Sequence, residues 1–167
     1  MNTTRKKIVK KNNQTQGIHT MIDVLLIEKK LRKIEMFIRE IENESPPDNF
    51  ESFSKNIVFK RFVERNIELS IEQMINICKH FVSALDLQEP TSYAHCFEII
   101  ANASIVPHNT IQTFRFMAGY RNFIIHGYDS VDDTVTYDIF KKRLNDFRLF
   151  IHAVRNYLSK HVQGNKK

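Results

Sequence analysis

From Val24 to Ile41 the apolar residues Val24, Ile27, Leu31, Ile34, Ile38 and Ile41 recur at alternating steps of three and four, with charged residues between them. That rhythm predicts a helix over Ile18–Glu44 with one packing seam. Ser45-Pro46-Pro47-Asp48 ends it, because paired prolines cannot continue a helix. A second, longer helix is predicted from about Phe53 to Leu85, with the seam Phe59, Val63, Ile67, Ile71, Met74, Cys78, Phe81 and Leu85. Pro90 interrupts, and Thr91 or Ser92 is placed to cap a short helix through Ala101. Pro107-His108-Asn109-Thr110 opens a central helix, and Asp129 to Thr134 reads as a polar loop. The final helix, about Thr136 to His161, carries Phe140, Leu144, Phe147, Ile151, Val154 and Leu158 on one seam. Long seams joined by short connections predict an all-α, up-and-down bundle of about five helices. The excess length of the second helix points to packing against something beyond one chain.

With 167 residues the chain suits one domain, and only four glycines and four prolines interrupt it. The net charge of +6 changes the picture less than its placement does. Arg5, Lys6, Lys7, Lys10 and Lys11 crowd the first 17 residues without an acid among them, and Lys166 and Lys167 end the chain. The body between is close to neutral, so the basic pI reports tails rather than a nucleic-acid surface. Residues 1–20 read as a basic disordered extension, 21–162 as the helical domain and 163–167 as a basic tail. A solvated arm is preferred over an RNA-binding one. Asn12-Asn13-Gln14-Thr15-Gln16 follows where a signal peptide needs an apolar run, and no stretch is apolar enough to span a membrane. Two cysteines, Cys78 and Cys96, are too few for a disulfide framework, so reduced thiols and a cytoplasmic location are expected.

Candidate chemistry gathers in the central helix. Ile111, Phe114, Phe116, Met117 and Ala118 lead into Arg121-Asn122-Phe123-Ile124-Ile125-His126-Gly127-Tyr128, a run so apolar that it predicts a buried helix. Arg121 falls in the stripe Ile111, Phe114, Ala118, Arg121, Ile125, where a nonpolar residue is expected. An unpaired buried guanidinium is very costly. Either an acid such as Glu72 pairs with it inside, or that face opens onto a cleft or a second subunit. Asn122 and His126 are one turn apart and share a face. Gly127 is a natural helix stop, which puts His126 in the last turn and Tyr128 just beyond it. The bland readings are an internal ion pair for Arg121, a C-terminal dipole partner for His126 and a packing role for Tyr128. Cys78 with His80, and His95 with Cys96, are too close in sequence to point at one ion from a helix. No metal and no cofactor are expected.

The segment Arg121 to Tyr128 resembles the R-x4-H-x-Y motif of HepT toxins within the HEPN superfamily. The likeness runs over most of residues 21–160, through Met21-Ile22-Asp23-Val24, Glu68 to Ile77, the Pro90-Thr91-Ser92-Tyr93 joint and the last helix to about Leu158. Residues 1–20 lie outside it, which makes Met21 an alternative start. The resemblance implies a dimeric HEPN bundle whose motif helices meet at the two-fold, and a metal-independent endoribonuclease. It further implies a minimal nucleotidyltransferase (MntA-like) antitoxin that transfers AMP to the motif tyrosine. Arg121 and His126 are carried over as catalytic, Tyr128 as the AMPylation acceptor and Asn122 as an active-site polar residue. A non-catalytic HEPN module, binding nucleotide or substrate for a nucleotidyltransferase, is the alternative.

Overall fold

The computed structural model describes residues 21–126 and 132–161, and every regular element among them is helical. Helix α1 (Val24–Asn43) starts where the Asp23 carboxylate accepts from the Leu26 N–H, and it buries Ile27, Leu31, Ile34, Ile38 and Ile41, the predicted seam apart from the partly buried Val24. After the two prolines, Asn49 caps α2 (Phe50–Lys55).

The second predicted helix is in fact two. Asn56 leaves helical backbone at φ −87°, ψ 81°, ending α2 with its N–H, while its side chain accepts from the Phe59 N–H to start α3 (Ile57–Ala84). An Asn side chain competes with the backbone for hydrogen bonds, so it favours caps over helix interiors. Helix α3 is the axis of the molecule. It packs against α1 along its length and also meets α4 and α5. Ser92 caps α4 (Tyr93–Asn102), accepting from the His95 N–H. A 3₁₀ turn, His108–Thr110, leads into α5 (Ile111–His126).

The last predicted helix begins earlier, at Asp133, because Asp132 accepts from the Thr134 N–H. Its α6 segment (Asp133–Asp138) passes through a π-turn at Ile139–Arg143 into α7 (Leu144–His161). The extra residue of a π-turn re-aims the seam, and Ile139, Phe140, Phe147, Phe150, Ile151, Val154 and Leu158 are buried along the whole path.

Two aromatic clusters fill the core. Phe97, Phe114 and Phe150 join α4, α5 and α7 with ring centroids 5.4–6.2 Å apart. Phe53, Phe59 and Phe140 lock α2 and α3 to the π-turn. Arg155 of α7 bridges Glu28 and Glu35 of α1, and Lys60 of α3 holds Asp133 at the start of α6. Between α3 and α4 the structure joins Cys78 to Cys96, whose Cα atoms are 6.2 Å apart. The expectation of two separate reduced thiols is thereby corrected. Cys78 sits on the α3 seam where α4 crosses it, so both sulfurs are buried face to face. No helix of the described residues is long and apolar enough to cross a membrane.

Candidate active site

Helix α5 is not buried all round. Phe114, Met117, Ala118 and Tyr120 face the core, and Gln112, Arg115, Phe116, Gly119, Asn122, Phe123 and His126 form one exposed stripe at helical spacing. The sequence misleads here because two of its large apolar residues, Phe116 and Phe123, point outward, at 39% and 41% exposed. Phe116 is partly covered by the Arg143 guanidinium, 4.4 Å from its ring centre. A Cβ at Gly119 would meet nothing within 4 Å, so this glycine lightens the stripe rather than relieving a clash.

Asn122 and His126 stand on this open stripe, and His126 is the last helical residue described. Arg121 lies at its border, with 16% of its side chain exposed. Its Nη2 donates to Glu72 Oε2 of α3 at 2.7 Å, and its guanidinium lies 5.2 Å from the centre of the Tyr93 ring at the start of α4. Glu72 keeps 37% of its side chain exposed, so the pair sits at a rim and is not sealed inside. The Arg121 Nε, buried, finds no acceptor among the described residues. Guanidinium donors are thus only partly used among the described residues.

The far side of α5 is rigidly tied. The Tyr120 hydroxyl meets the Thr136 hydroxyl at 2.7 Å inside the core, and burial pushes the Tyr120 phenol well above its ordinary value. This link anchors α6 to α5 on either side of residues 127–131. Gly127 and Tyr128 lie outside the described residues, so Tyr128 has no described placement.

Tyr93, at the start of α4, stands beside this site. It receives Arg121 and, at 4.8 Å, the Lys79 ammonium. It also lines a cleft of about 620 Å³ together with Lys79, Val82, Ser83, Thr91 and Asn122. Its position in the Pro90-Thr91-Ser92-Tyr93 joint, one of the stretches of the family likeness outside the motif helix, was the available signal. The cysteine–histidine pairs do not converge: His80 accepts from the Asp23 N–H, and the His95 ring accepts from the Thr91 N–H. No cluster of metal-ligating side chains occurs among the described residues.

Known proteins resemble this chain in sequence and fold. The tRNA nuclease HepT of Aphanizomenon flos-aquae is 23% identical over 142 residues, covering 83% of this chain and 94% of that protein. The mRNA nuclease HepT of Shewanella oneidensis is 22% identical over 103 residues, covering 62% of this chain and 77% of that one. In fold, the tri-AMPylated Shewanella oneidensis HEPN toxin, solved in complex with MNT antitoxin, superposes with a TM-score of 0.71 at 21% identity, over 78% of this chain and 97% of that one. The family model described as "Ribonuclease HepT-like" matches residues 27–154, from the first turn of α1 into α7 and including the Arg121–His126 segment, and the chain belongs to this family.

Proposed function

We propose that this chain is the toxin of a toxin–antitoxin pair, a metal-independent endoribonuclease with Arg121 and His126 as its catalytic residues. The observation that carries the reading is the open stripe of α5. It sets an imidazole and an amide on one accessible face, with a partly unsatisfied guanidinium at the edge. RNA brings its own nucleophile. The 2′-oxygen attacks the adjacent phosphorus, the bond from phosphorus to the 5′-oxygen breaks, and a 2′,3′-cyclic phosphate and a 5′-hydroxyl result. A proton must leave the 2′-hydroxyl and another must reach the departing 5′-oxygen. An imidazole near neutrality does either. Arg121 would hold the charge of the pentavalent phosphorane by paired hydrogen bonds, and Asn122 would orient the phosphate or the neighbouring sugar.

One imidazole per chain suits a homodimer. Stripes apposed through Phe116 and Phe123 across a two-fold would bring two His126 side chains to one phosphate, one as base and one as acid. The partner antitoxin, in this reading, is a minimal nucleotidyltransferase that adds AMP to Tyr128, and the pair acts in the cytoplasm. An AMP group two residues along the chain from His126 would put a bulky anion in competition with substrate phosphate. The two nuclease relatives are named for different RNAs, so tRNA and mRNA are both candidate targets.

The non-catalytic alternative has one observation in its favour: Glu72 already occupies one edge of Arg121. Expression in a bacterial host separates the two. The nuclease predicts growth arrest, relieved by His126→Ala or by co-expressed nucleotidyltransferase, with a mass increase of one AMP on Tyr128. Growth unaffected by the intact chain would favour the binding module.

A further inference from the structure

Beside the candidate catalytic helix lies a cleft whose construction suits neither core packing nor an empty surface fold. It opens between the C-terminal half of α3, the Glu89–Ser92 connection, the start of α4 and Asn122 of α5. At about 620 Å³ it falls within the roughly 300–1,000 Å³ range of small-molecule sites. Val82 and Pro90 give it an apolar wall, Tyr93 an aromatic one, Lys79 a cation, and Ser83 and Thr91 hydroxyls at its rim. Two of these residues connect it to the scissile position: Asn122 neighbours Arg121 in the chain, and Tyr93 carries the Arg121 guanidinium on its ring.

We infer that this cleft is a nucleoside subsite, which seats the unpaired base adjoining the phosphate to be cut and so sets which RNA positions are cleaved. The inference rests on the ribonuclease reading above and names the substrate element that this side of the site recognises: one splayed-out nucleotide of single-stranded RNA. Single-stranded RNA is read by proteins that unstack a base against an aromatic or guanidinium plane and test its edge with short polar groups. The cleft supplies both kinds of surface. Lys79, exposed on α3 at the cleft mouth, would meet the phosphate on the far side of that nucleotide. A body close to neutral, with the cation placed here, favours recognition of one nucleotide over diffuse attraction to a polyanion.

The test uses the full chain and a pool of single-stranded oligoribonucleotides of random sequence, with the cleaved ends sequenced. The unaltered chain should show a base preference at one position beside the cut. Ser83→Trp, which fills the cleft from its exposed rim, should flatten or redirect that preference and raise KM about tenfold, the scale of one lost stacking contact, whereas Lys79→Glu should raise KM for every sequence alike and leave the preference in place. Their kcat on the residual substrate should stay within about twofold, since neither residue reaches the reacting atoms. Circular dichroism and melting would establish that both variants fold. A folded Ser83→Trp with unchanged preference and KM would overturn the subsite, as would cleavage by the unaltered chain without any base preference at the cut. No cleavage of any oligonucleotide by the unaltered chain would instead overturn the ribonuclease reading underneath.

Discussion

At the scale of single residues, the polar groups of α5 divide by what they touch. His126 is exposed and has no hydrogen bond to the described residues, so the fold should not depend on it. His126→Ala is therefore expected to leave the melting temperature unchanged while lowering cleavage by about 10²–10⁴-fold, the usual contribution of a proton-transfer group; stopped-time RNA assays beside a thermal melt would show both. Arg121 differs, because Glu72 and Tyr93 hold it in place. Glu72→Ala is expected to lower kcat about tenfold by letting the guanidinium wander, and Glu72→Gln, which keeps one acceptor, to restore most of it. Equal losses in the two variants would mean that charge, not position, is what Glu72 provides. The sequence posed the choice at Arg121 as internal acid or open cleft. The structure shows both together, a combination that no spacing rule could disclose.

At the scale of elements, the seams fixed by a three–four rhythm were legible, and the places where polar side chains rewrite the backbone were not. All five buried residues of α1 lie on its predicted seam, whose sixth member, Val24, is partly buried at the first turn. Asn56 was hidden inside an otherwise continuous apolar pattern, because periodicity registers which face is apolar and not whether the backbone turns between two segments in register. Asn56→Ala is expected to remove the N-cap of α3 and destabilise the protein by about 1 kcal/mol in urea titration. Phe114→Ala, which opens a hole where Phe97 and Phe150 meet edge to face, should cost about 3–5 kcal/mol. The outward turn of Phe116 and Phe123 was also unreadable, because hydrophobicity alone does not say which apolar residues of a nearly all-apolar helix turn inward. The pairing of Cys78 with Cys96 was missed for a related reason, since it depends on where α4 crosses α3.

At the scale of the whole molecule, ion pairs between distant elements set how stability follows pH. The hydrogen bonds and charge of Arg155 hold Glu28 below its ordinary 4.5. Burial raises the Asp133 carboxyl, but hydrogen bonds from Lys60 and Ser54 outweigh it and leave this group below its ordinary 3.8. A carboxylate whose value is lower in the folded state stabilises above its unfolded value and loses that contribution as pH falls through the folded one. The melting temperature should thus hold from neutral pH to about 5 and drop below about 4, with Asp133→Asn showing a shallower fall. Assembly belongs to this scale as well. In the proposed dimer two His126 side chains share the two proton transfers, so a charge placed on the outward stripe, as in Phe123→Glu, is expected to lower activity and the mass in light scattering together; a monomeric mass for the unaltered, active chain would contradict the proposed dimer.

The central claim is that Arg121 and His126 cut RNA through its own 2′-hydroxyl. Incubating the purified chain with single-stranded RNA in excess EDTA, and determining the chemistry of the new ends, tests it most directly. Fragments ending in 2′,3′-cyclic phosphate and beginning with 5′-hydroxyl, lost in both His126→Ala and Arg121→Ala, are predicted. Ends carrying 5′-phosphate, or undiminished cutting by either variant, would contradict it.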